Sequence, residues 1–303
     1  MHSTSTSTDT GTGRPSVTVI GLGPMGQAMA AAFLDRGYEV TLWNRTAARA
    51  DALVARGARL APDVAQALAA SGVAVVSLTD YAAMYEVLDP AAAALAGRVL
   101  VNLSSDTPEQ ARAAARWAAE RGAVQLTGGV TVPPSGIGRA ASLTFYSGPR
   151  EVFDTVRPLL EVVTGRTDHR GEDPGAAALF YQLGMTVFWT AMLGYWQALA
   201  LARANGLTAA DVLEHATDTA NSLPDFFGFY ADRIDAGRHD GDVDRLAMAL
   251  ASVEHVRHTH AAAGVDTTLP AAVAALVRRG MDAGHAADSF SALVALMGTP
   301  AGA

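Results

Sequence analysis

The chain of 303 residues contains no cysteine, and only 17% of its residues are charged. The lack of cysteine excludes disulfides, thiolate metal sites and cysteine nucleophiles, and it is typical of a cytoplasmic protein. Acidic residues outnumber basic ones by 30 to 22 and no basic stripe is present, so nucleic acid is not expected as a partner. Residues 1–16 are rich in Ser, Thr and Gly and lack the apolar core of a signal peptide, which predicts a disordered leader.

Charge is also missing from the whole of residues 174–202, a stretch long enough to cross a membrane as a helix. Gln182, Thr186 and Gln197 interrupt its apolar character, and an alternation of strands and helices precedes it. A helix that is apolar on all sides is typically buried on all sides. We therefore expect a buried helix, beginning behind Pro174, and no membrane partner.

Short β-branched runs alternate with Ala-rich helical stretches in the first half of the chain. The strand candidates are residues 17–21, 39–44, 73–78, 98–104, 123–128 and 142–148. Near-continuous apolar strands separated by helices predict an α/β domain whose parallel sheet is covered on both faces. Beyond about residue 170 only helical patterns follow, with breaks expected at 205–208, 222–225 and 264–270. The sequence thus predicts a Rossmann domain over 17–170, and an interdomain helix with an all-α domain over 171–303.

A glycine motif follows the first strand and opens a helix. It consists of Gly21, Leu22, Gly23, Pro24, Met25 and Gly26. Glycines at this spacing allow a tight turn and let backbone N–H groups approach a pyrophosphate at a helix N-terminus. Strand before, helix after and a second strand at 39–44 together predict a dinucleotide site.

The end of the second strand indicates which dinucleotide binds. An NAD enzyme usually has Asp or Glu there for the ribose 2′-hydroxyl, but this chain has Asn44, Arg45 and Thr46, followed by Arg49. Guanidinium groups and a hydroxyl bind a 2′-phosphate that a carboxylate would repel, so we expect NADP(H). Later strand ends should flank the nicotinamide through Leu78, Thr79, Asn102, Ser104 and Ser105.

The motifs GLGPMG and WNRT resemble those of the β-hydroxyacid dehydrogenase superfamily. Its hydroxyacid dehydrogenases carry a G-x-x-x-K-x-x-N-N motif whose Lys is the acid–base group. At that place this chain has Leu179 in the position of the Lys and Gln182 in that of the first Asn. Leucine cannot transfer a proton, which disfavours carbonyl chemistry by that route.

Four further stretches are similar to those of the imine reductase and reductive aminase family. They are WNRTAARADAL (43–53), VNLSSDTPEQA (101–111), GGVTVPPSGIG (128–138) and FYSGPREVF (145–153). The resemblance extends from residue 17 over nearly the whole chain. It implies NADPH-dependent reduction of C=N bonds, converting cyclic imines and iminium ions to amines by hydride transfer. It also implies a 6-phosphogluconate dehydrogenase-like C-terminal domain and a homodimer with reciprocal domain sharing, in which one subunit covers the cofactor cleft of the other.

In this family a polar residue of the interdomain helix assists the reaction, and two residues match its position in different branches. They are Tyr181, a proton donor or anchor for the imine, and Thr186, a pocket hydroxyl. The expected pocket walls are Met185, Trp189, Phe226, Phe227 and Met248. The histidines at 255, 258 and 260 lack metal-site spacing, so no metal is expected. Two other functions stay open: a hydroxyacid dehydrogenase acting on a carbonyl, and a non-catalytic NADPH-binding protein.

Overall fold

A computed structural model of the chain describes residues 14–298, so most of the predicted leader lies outside the described residues. The chain divides into two compact units, Met1–Thr186 and Val187–Ala303. Each unit is described by itself below.

The first unit is built on one sheet of eight strands in the order β3-β2-β1-β4-β5-β6-β7-β8. The strands are β1 Ser16–Ile20, β2 Glu39–Trp43, β3 Arg59–Leu60, β4 Val73–Val76, β5 Val99–Asn102, β6 Val124–Val130, β7 Leu143–Ser147 and β8 Arg166–His169. The order of the first six is that of a doubly wound nucleotide-binding sheet. The predicted α/β Rossmann class is confirmed.

One strand pair differs from the expected all-parallel arrangement. Strands β6 and β7 pair antiparallel, with Thr127 opposite Ser147, while the other neighbouring strands pair in parallel. A parallel return needs a crossover, usually a helix, and the segment between them contains only a short 3₁₀ turn at Pro134–Gly136. The sequence patterns missed two strands: β3 has only two residues, and all four residues of β8 are polar.

Helices cover both faces of this sheet. They are α1 Pro24–Asp35, α2 Asp51–Val54, α3 Val64–Ala69, α4 Tyr81–Leu88, α5 Pro108–Ala119 and α6 Arg150–Val163. Asp63, Asp80 and Thr107 accept a hydrogen bond from the first turn of α3, α4 and α5, respectively, which fixes where those helices begin. Phe33 and Leu42 belong to one buried apolar cluster and Tyr81 and Leu100 to the other. The sheet therefore has a complete apolar layer on each side.

Helix α7, Ala176–Ala204, carries the uncharged stretch. The expectation that it is buried on all sides is wrong for the single chain, because Leu183, Val187 and Trp189 are each about half exposed. Among the described residues, α7 is one helix that is long and apolar enough to cross a membrane, and little of it is buried. The described chain therefore leaves one apolar face of α7 exposed.

The second unit holds most of α7 and four further helices. They are α8 Ala209–Asp235, α9 Leu246–Ala262, α10 Thr268–Gly280 and α11 Leu293–Met297. The break expected at 222–225 is absent, since α8 continues through Pro224. Proline removes one helical hydrogen bond, but α8 has 27 residues and starts with a capping box between Thr208 and Asp211, which stabilises it. The breaks expected at 205–208 and 264–270 are found, before α8 and between α9 and α10.

Candidate functional site

A groove of about 470 Å³ lies in the first unit, where β1, β2, β4 and β5 end. It is lined by Gly21, Leu22, Gly23, Pro24, Met25, Met29, Trp43, Asn44, Arg45, Thr46, Arg49, Ser77, Leu78, Thr79, Ala83, Glu86, Val87, Leu103, Ser105, Val130, Val132 and Tyr181. Ligands of doubly wound sheets bind at the carboxyl ends of the strands, beside the point where the strand order reverses. The groove occupies that position between β1 and β4.

Two glycines of the motif are required by the fold itself. Gly21 has a φ of 95°, and a Cβ there would lie 2.2 Å from the Ser77 carbonyl oxygen. A Cβ on Gly26 would lie 1.9 Å from the carbonyl oxygen of Gly21. At Gly23 nothing lies within 4 Å of a Cβ position. Gly23 therefore leaves open space above the loop, where a ligand can approach the backbone.

The N-terminus of α1 faces this open space with its first-turn N–H groups free of side-chain caps. Gly23 is the N-cap and makes no side-chain hydrogen bond, Pro24 occupies the first turn, and no acidic residue follows in that turn. Uncapped N–H groups and the helix dipole favour an anion at this end of a helix. The loop and the helix together fit the pyrophosphate of a dinucleotide.

Asn44 holds the glycine loop in place. Its Oδ1 accepts a hydrogen bond from the Leu22 N–H at 2.9 Å, and its Nδ2 donates to the Thr46 carbonyl at 2.9 Å. Asn44 lines the groove as predicted for a cofactor residue, but its amide is committed to shaping the loop. Because Asn44 follows β2 and Leu22 follows β1, the hydrogen bond between them connects the ends of these two strands.

Arg45, Thr46 and Arg49 form one end of the groove and are exposed. Two guanidiniums and a hydroxyl there fit a 2′-phosphate. The Arg45 Nη1 atom lies 3.3 Å from Oε1 of Glu86 on α4. Glu86 was missed by the sequence analysis because the two residues are 41 positions apart and meet only through the pairing of β2, β1 and β4.

The opposite wall carries Leu78, Thr79 and Ser105, as predicted. Asn102 and Ser104 were predicted beside them, but they are fully buried behind the lining. Ser104 Oγ accepts from the Leu78 N–H at 3.2 Å, and Asn102 Oδ1 accepts from the Ser104 N–H at 3.0 Å. These two residues support the strand-end loops and do not face the groove.

Tyr181 on α7 lines the same groove. Strand β6 approaches the helix closely at this point, because a Cβ on Gly129 would lie 2.7 Å from the Tyr181 Cβ and 3.1 Å from the Ala177 carbonyl oxygen. Only glycine permits that approach. The backbone of Tyr181 is therefore held against the sheet.

The start of α7 is anchored by side chains of the first unit. Arg112 binds both carboxylate oxygens of Asp173, at 2.8 and 2.7 Å, and Asp173 also accepts from the Gly175 N–H. The Arg112 hydrogen bond and the Gly175 N–H lower the pKa of Asp173 to about 2. Ser147 Oγ accepts from the Ala177 N–H at 3.0 Å. These contacts fix the first turns of the helix, and with them the position of Tyr181.

Thr186 lies outside the lining of the groove, and its hydroxyl donates to the Gln182 carbonyl at 2.9 Å. Met185 is half-buried and is also outside the lining. The remaining predicted pocket residues, Trp189, Phe226, Phe227 and Met248, belong to the second unit and are all more than half exposed. Their role in a substrate pocket stays a prediction.

Several lining residues had no recognised signal in the sequence. They are Met29, Trp43, Ser77, Ala83, Glu86, Val87, Leu103, Val130 and Val132. Three of them, Ala83, Glu86 and Val87, share one face of α4 at helical spacing. The i, i+3, i+4 spacing of these residues, in the helix that follows β4, was the signal that could have placed them on the groove.

Two family models match the chain. The NAD binding domain of 6-phosphogluconate dehydrogenase matches residues 16–171, and the NADPH-dependent reductive aminase-like C-terminal domain matches residues 173–299. The chain belongs to the imine reductase and reductive aminase family. The predicted family is thereby confirmed, as is the enzyme class, an oxidoreductase.

Relatives of known structure or activity agree with this membership. A Streptomyces aurantiacus imine reductase is 65% identical with a TM-score of 0.91, covering 93% of this chain and 99% of its own. A reductive aminase from Aspergillus terreus, solved with NADPH and ethyl levulinate, is 32% identical with a TM-score of 0.89, covering 94% and 99%. An NADPH-dependent reductive aminase of Aspergillus oryzae is 29% identical over 282 residues, which are 92% of this chain and 95% of that one. These relatives support the prediction of NADPH as the cofactor.

Proposed function

We propose that this member of the imine reductase family reduces C=N bonds of small imines and iminium ions with NADPH. The observation that carries the proposal is the position of Tyr181, whose side chain lines the groove at a helix start held against the sheet. The other ionisable residues of the lining, within the described part of the chain, are Arg45, Arg49 and Glu86 at the end assigned to the 2′-phosphate. Tyr181 is thus the proton donor available to a substrate.

The residues of the groove fit the cofactor. Gly23 and the N-terminus of α1 would hold the pyrophosphate, and Arg45, Thr46 and Arg49 would hold the 2′-phosphate. NADPH, when bound, supplies the hydride that reduces the carbon of the C=N bond. The protein has to hold the reacting groups close together and exclude water, and Tyr181 provides a hydroxyl for the nitrogen.

The composition disfavours carbonyl reduction by the lysine-dependent route. All 22 basic residues counted as Lys or Arg are arginines, so the chain contains no lysine at all. No other lysine can therefore replace the one that serves as the acid–base group in the hydroxyacid dehydrogenases. A ketone needs an acid for the developing alkoxide, whereas an alkyl imine takes its proton from water near neutral pH and is then already activated.

A kinetic comparison of two hydroxyl variants tests this assignment. We expect NADPH consumption with 2-methylpyrroline, followed by absorbance at 340 nm. Tyr181→Phe should lower kcat about 10- to 100-fold, because it removes a proton donor or anchor from the groove. Thr186→Val is the matched control on the same helix and should change kcat less than about threefold, as expected for a hydroxyl that donates to its own helix.

Other results would select the alternatives. Turnover of hydroxy acids with NADP+ would favour a dehydrogenase acting on a carbonyl. NADPH binding without consumption across a panel of cyclic imines would favour a non-catalytic binding protein. A kcat of Tyr181→Phe equal to that of the parent would refute the role of Tyr181 and leave the C=N activity standing.

Cofactor preference is tested at Arg45. Reversing its charge with Arg45→Glu should weaken NADPH binding about 100-fold and NADH binding less than about threefold, since only NADPH carries the 2′-phosphate. The measurement is the Kd of each cofactor by protein fluorescence. Equal use of NADH and NADPH by the parent would contradict the cofactor proposal.

We also propose that the enzyme is a homodimer in which each copy covers the apolar helices of the other. Trp196 on α7 is about half exposed, as are Leu213 on α8 and Val256 on α9. A hollow of about 620 Å³, lined almost entirely by apolar atoms of α7, α9 and α10, opens beside them. Large apolar side chains exposed together on the surface of a protein typically mark an interaction site.

A second copy is favoured over a lipid bilayer because α7 carries hydrogen-bonded polar side chains. Gln197 donates to the Asp266 carbonyl at 2.7 Å, and Gln182 donates to the Asp106 carbonyl at 3.4 Å. These contacts tie the helix to the protein at both ends. In the proposed dimer, the exposed Trp189, Phe226, Phe227 and Met248 of one copy would help to complete the groove of the other.

A further inference from the structure

One carboxylate lines a groove that otherwise fits anions. Glu86 is the acidic residue among the described residues of the lining. The groove also presents two arginines and an uncapped helix N-terminus, and a pyrophosphate with a 2′-phosphate would bring several negative charges into it. A carboxylate there repels the proposed ligand, so its presence calls for a physical reason.

The position of Glu86 on α4 directs it into the groove. Ala83, Glu86 and Val87 lie at i, i+3 and i+4 and share one face of the helix, and all three line the groove. The start of α4 is fixed by Asp80, whose carboxylate accepts from the Ala83 N–H at 2.8 Å. Glu86 is therefore presented to the groove by a capped helix.

Glu86 pairs with the arginine that a 2′-phosphate needs. The distance from Arg45 Nη1 to Glu86 Oε1 is 3.3 Å, and the contact joins the end of β2 to α4 across the groove. Among the described residues Arg49 makes no ion pair, so the two arginines are not equivalent. Arg45 also lines a second hollow of about 340 Å³ with Trp43 and Leu60, which gives its side chain room on the other side of β2.

We propose that Glu86 is a specificity-determining residue that competes with the 2′-phosphate for Arg45. In the free protein the Glu86 carboxylate pairs with the Arg45 guanidinium. A cofactor with a 2′-phosphate must displace the carboxylate to bind Arg45. NADH makes no such demand, so the competition acts on NADPH alone. The inference rests on the proposed cofactor, NADPH, and assigns to Glu86 the role of lowering the affinity for it.

The size of the effect follows from the exposure of the pair. The side chains of Arg45 and Glu86 are 80% and 70% exposed, and exposed pairs contribute at most about 1 kcal/mol. Breaking such a pair, together with the repulsion between carboxylate and phosphate, corresponds to a change in Kd of about three- to fivefold. The effect should shrink at high ionic strength because both groups are in water.

The test measures the Kd of NADPH and of NADH for the full-length protein by fluorescence titration at low salt. Glu86→Gln should bind NADPH about three- to fivefold more tightly than the parent and NADH within about 1.5-fold. Asp35→Asn is the matched control, since Asp35 forms an exposed pair with Arg56 at 2.7 Å outside the groove lining. It should leave both constants unchanged.

A double-mutant cycle with Arg45→Ala completes the test. In the Arg45→Ala background the gain from Glu86→Gln should shrink to the part that comes from repulsion between the carboxylate and the phosphate, because no guanidinium is left to compete for. Equal weakening of NADPH and NADH by Glu86→Gln would overturn the inference and make Glu86 a ligand of the shared adenosine. An unchanged NADPH constant would overturn it as well.

The inference and the cofactor proposal fail in different ways. A parent protein that binds NADH as tightly as NADPH refutes the cofactor proposal and the inference with it. A parent that prefers NADPH, with no response to Glu86→Gln, refutes the inference alone.

Discussion

The two compact units of this protein bury their apolar residues to very different degrees. Among the residues described, four large apolar side chains are exposed in the first unit and seventeen in the second. Within residues 187–298, five apolar residues are buried, and three of them are alanines. The first unit thus completes its own core, while the second does not within one copy.

The difference follows from architecture. A parallel sheet buries both faces under its own helices, and each face here has an apolar cluster containing large side chains such as Phe33 and Leu100. The helices of the second unit leave large apolar side chains such as Trp196 and Leu213 about half exposed. What the second unit does bury is partly polar: Asp244 accepts from the Tyr230 hydroxyl at 2.8 Å, and Arg233 pairs with Asp242 at 2.7 Å.

The largest effect, on dimer dissociation, is expected at the exposed apolar residues of the second unit. Leu213→Asp places a carboxylate in the proposed dimer interface, and burying it there would cost several kcal/mol. The dimer dissociation constant should rise at least about 100-fold. Size-exclusion chromatography with light scattering measures the change.

The matched control lies in the first unit. Val54→Asp introduces the same charge at an apolar residue that is 43% exposed, against 56% for Leu213. It should leave the oligomeric state unchanged. A parent protein that is monomeric at all concentrations would contradict the proposed dimer, because the exposed helices would then need no partner copy.

A second prediction tests how tightly the first unit is packed. Gly26→Ala forces a Cβ to 1.9 Å from the Gly21 carbonyl oxygen, and overpacking of this kind should lower the free energy of unfolding by about 2–3 kcal/mol. Urea denaturation measures it. Gly23→Ala meets no atom within 4 Å and should leave stability within about 0.5 kcal/mol while weakening NADPH binding more than about tenfold. Equal losses of stability in both variants would contradict the assigned roles.

A third prediction concerns the contact between β6 and α7. Gly129→Ala would bring a Cβ to 2.7 Å from the Tyr181 Cβ, so we expect a loss of about 1–2 kcal/mol in stability and a lower kcat as Tyr181 moves. Gly72→Ala, where no atom lies within 4 Å, is the control and should change neither quantity. A Gly129→Ala variant with parental kcat would show that the position of Tyr181 is not critical.

The smallest effect is expected at the anchor of α7. The pKa of Asp173 falls from 3.8 to about 2 in the folded protein because of Arg112 and the Gly175 N–H. A lowered pKa stabilises the fold above the unfolded value and loses that stabilisation as the pH falls toward 2. Both side chains are more than a third exposed, so Asp173→Asn should cost less than about 1 kcal/mol at pH 7. Denaturation at pH 7 and near pH 2.5 checks that the difference between parent and variant narrows in acid.

Much of the site could be predicted because its parts are local in sequence. The glycine motif and the end of β2 each lie within a few residues, and the structure brings both to one groove. Their roles needed the structure: Asn44 fixes the loop with its amide, and Asn102 and Ser104 lie behind the lining. Pro224 predicted a break that a long, capped helix overrides.

The sequence by itself determined the doubly wound sheet, the dinucleotide motif, the arginines for a 2′-phosphate and the absence of any lysine. These follow from residue type, period and short spacing, which need no knowledge of distant contacts. Only the tertiary structure decided that Glu86 meets Arg45, that Gly129 holds Tyr181 against the sheet and that α7 is left exposed. The reason is that distances between residues remote in the chain, and the burial of a helix face, depend on which elements pack together.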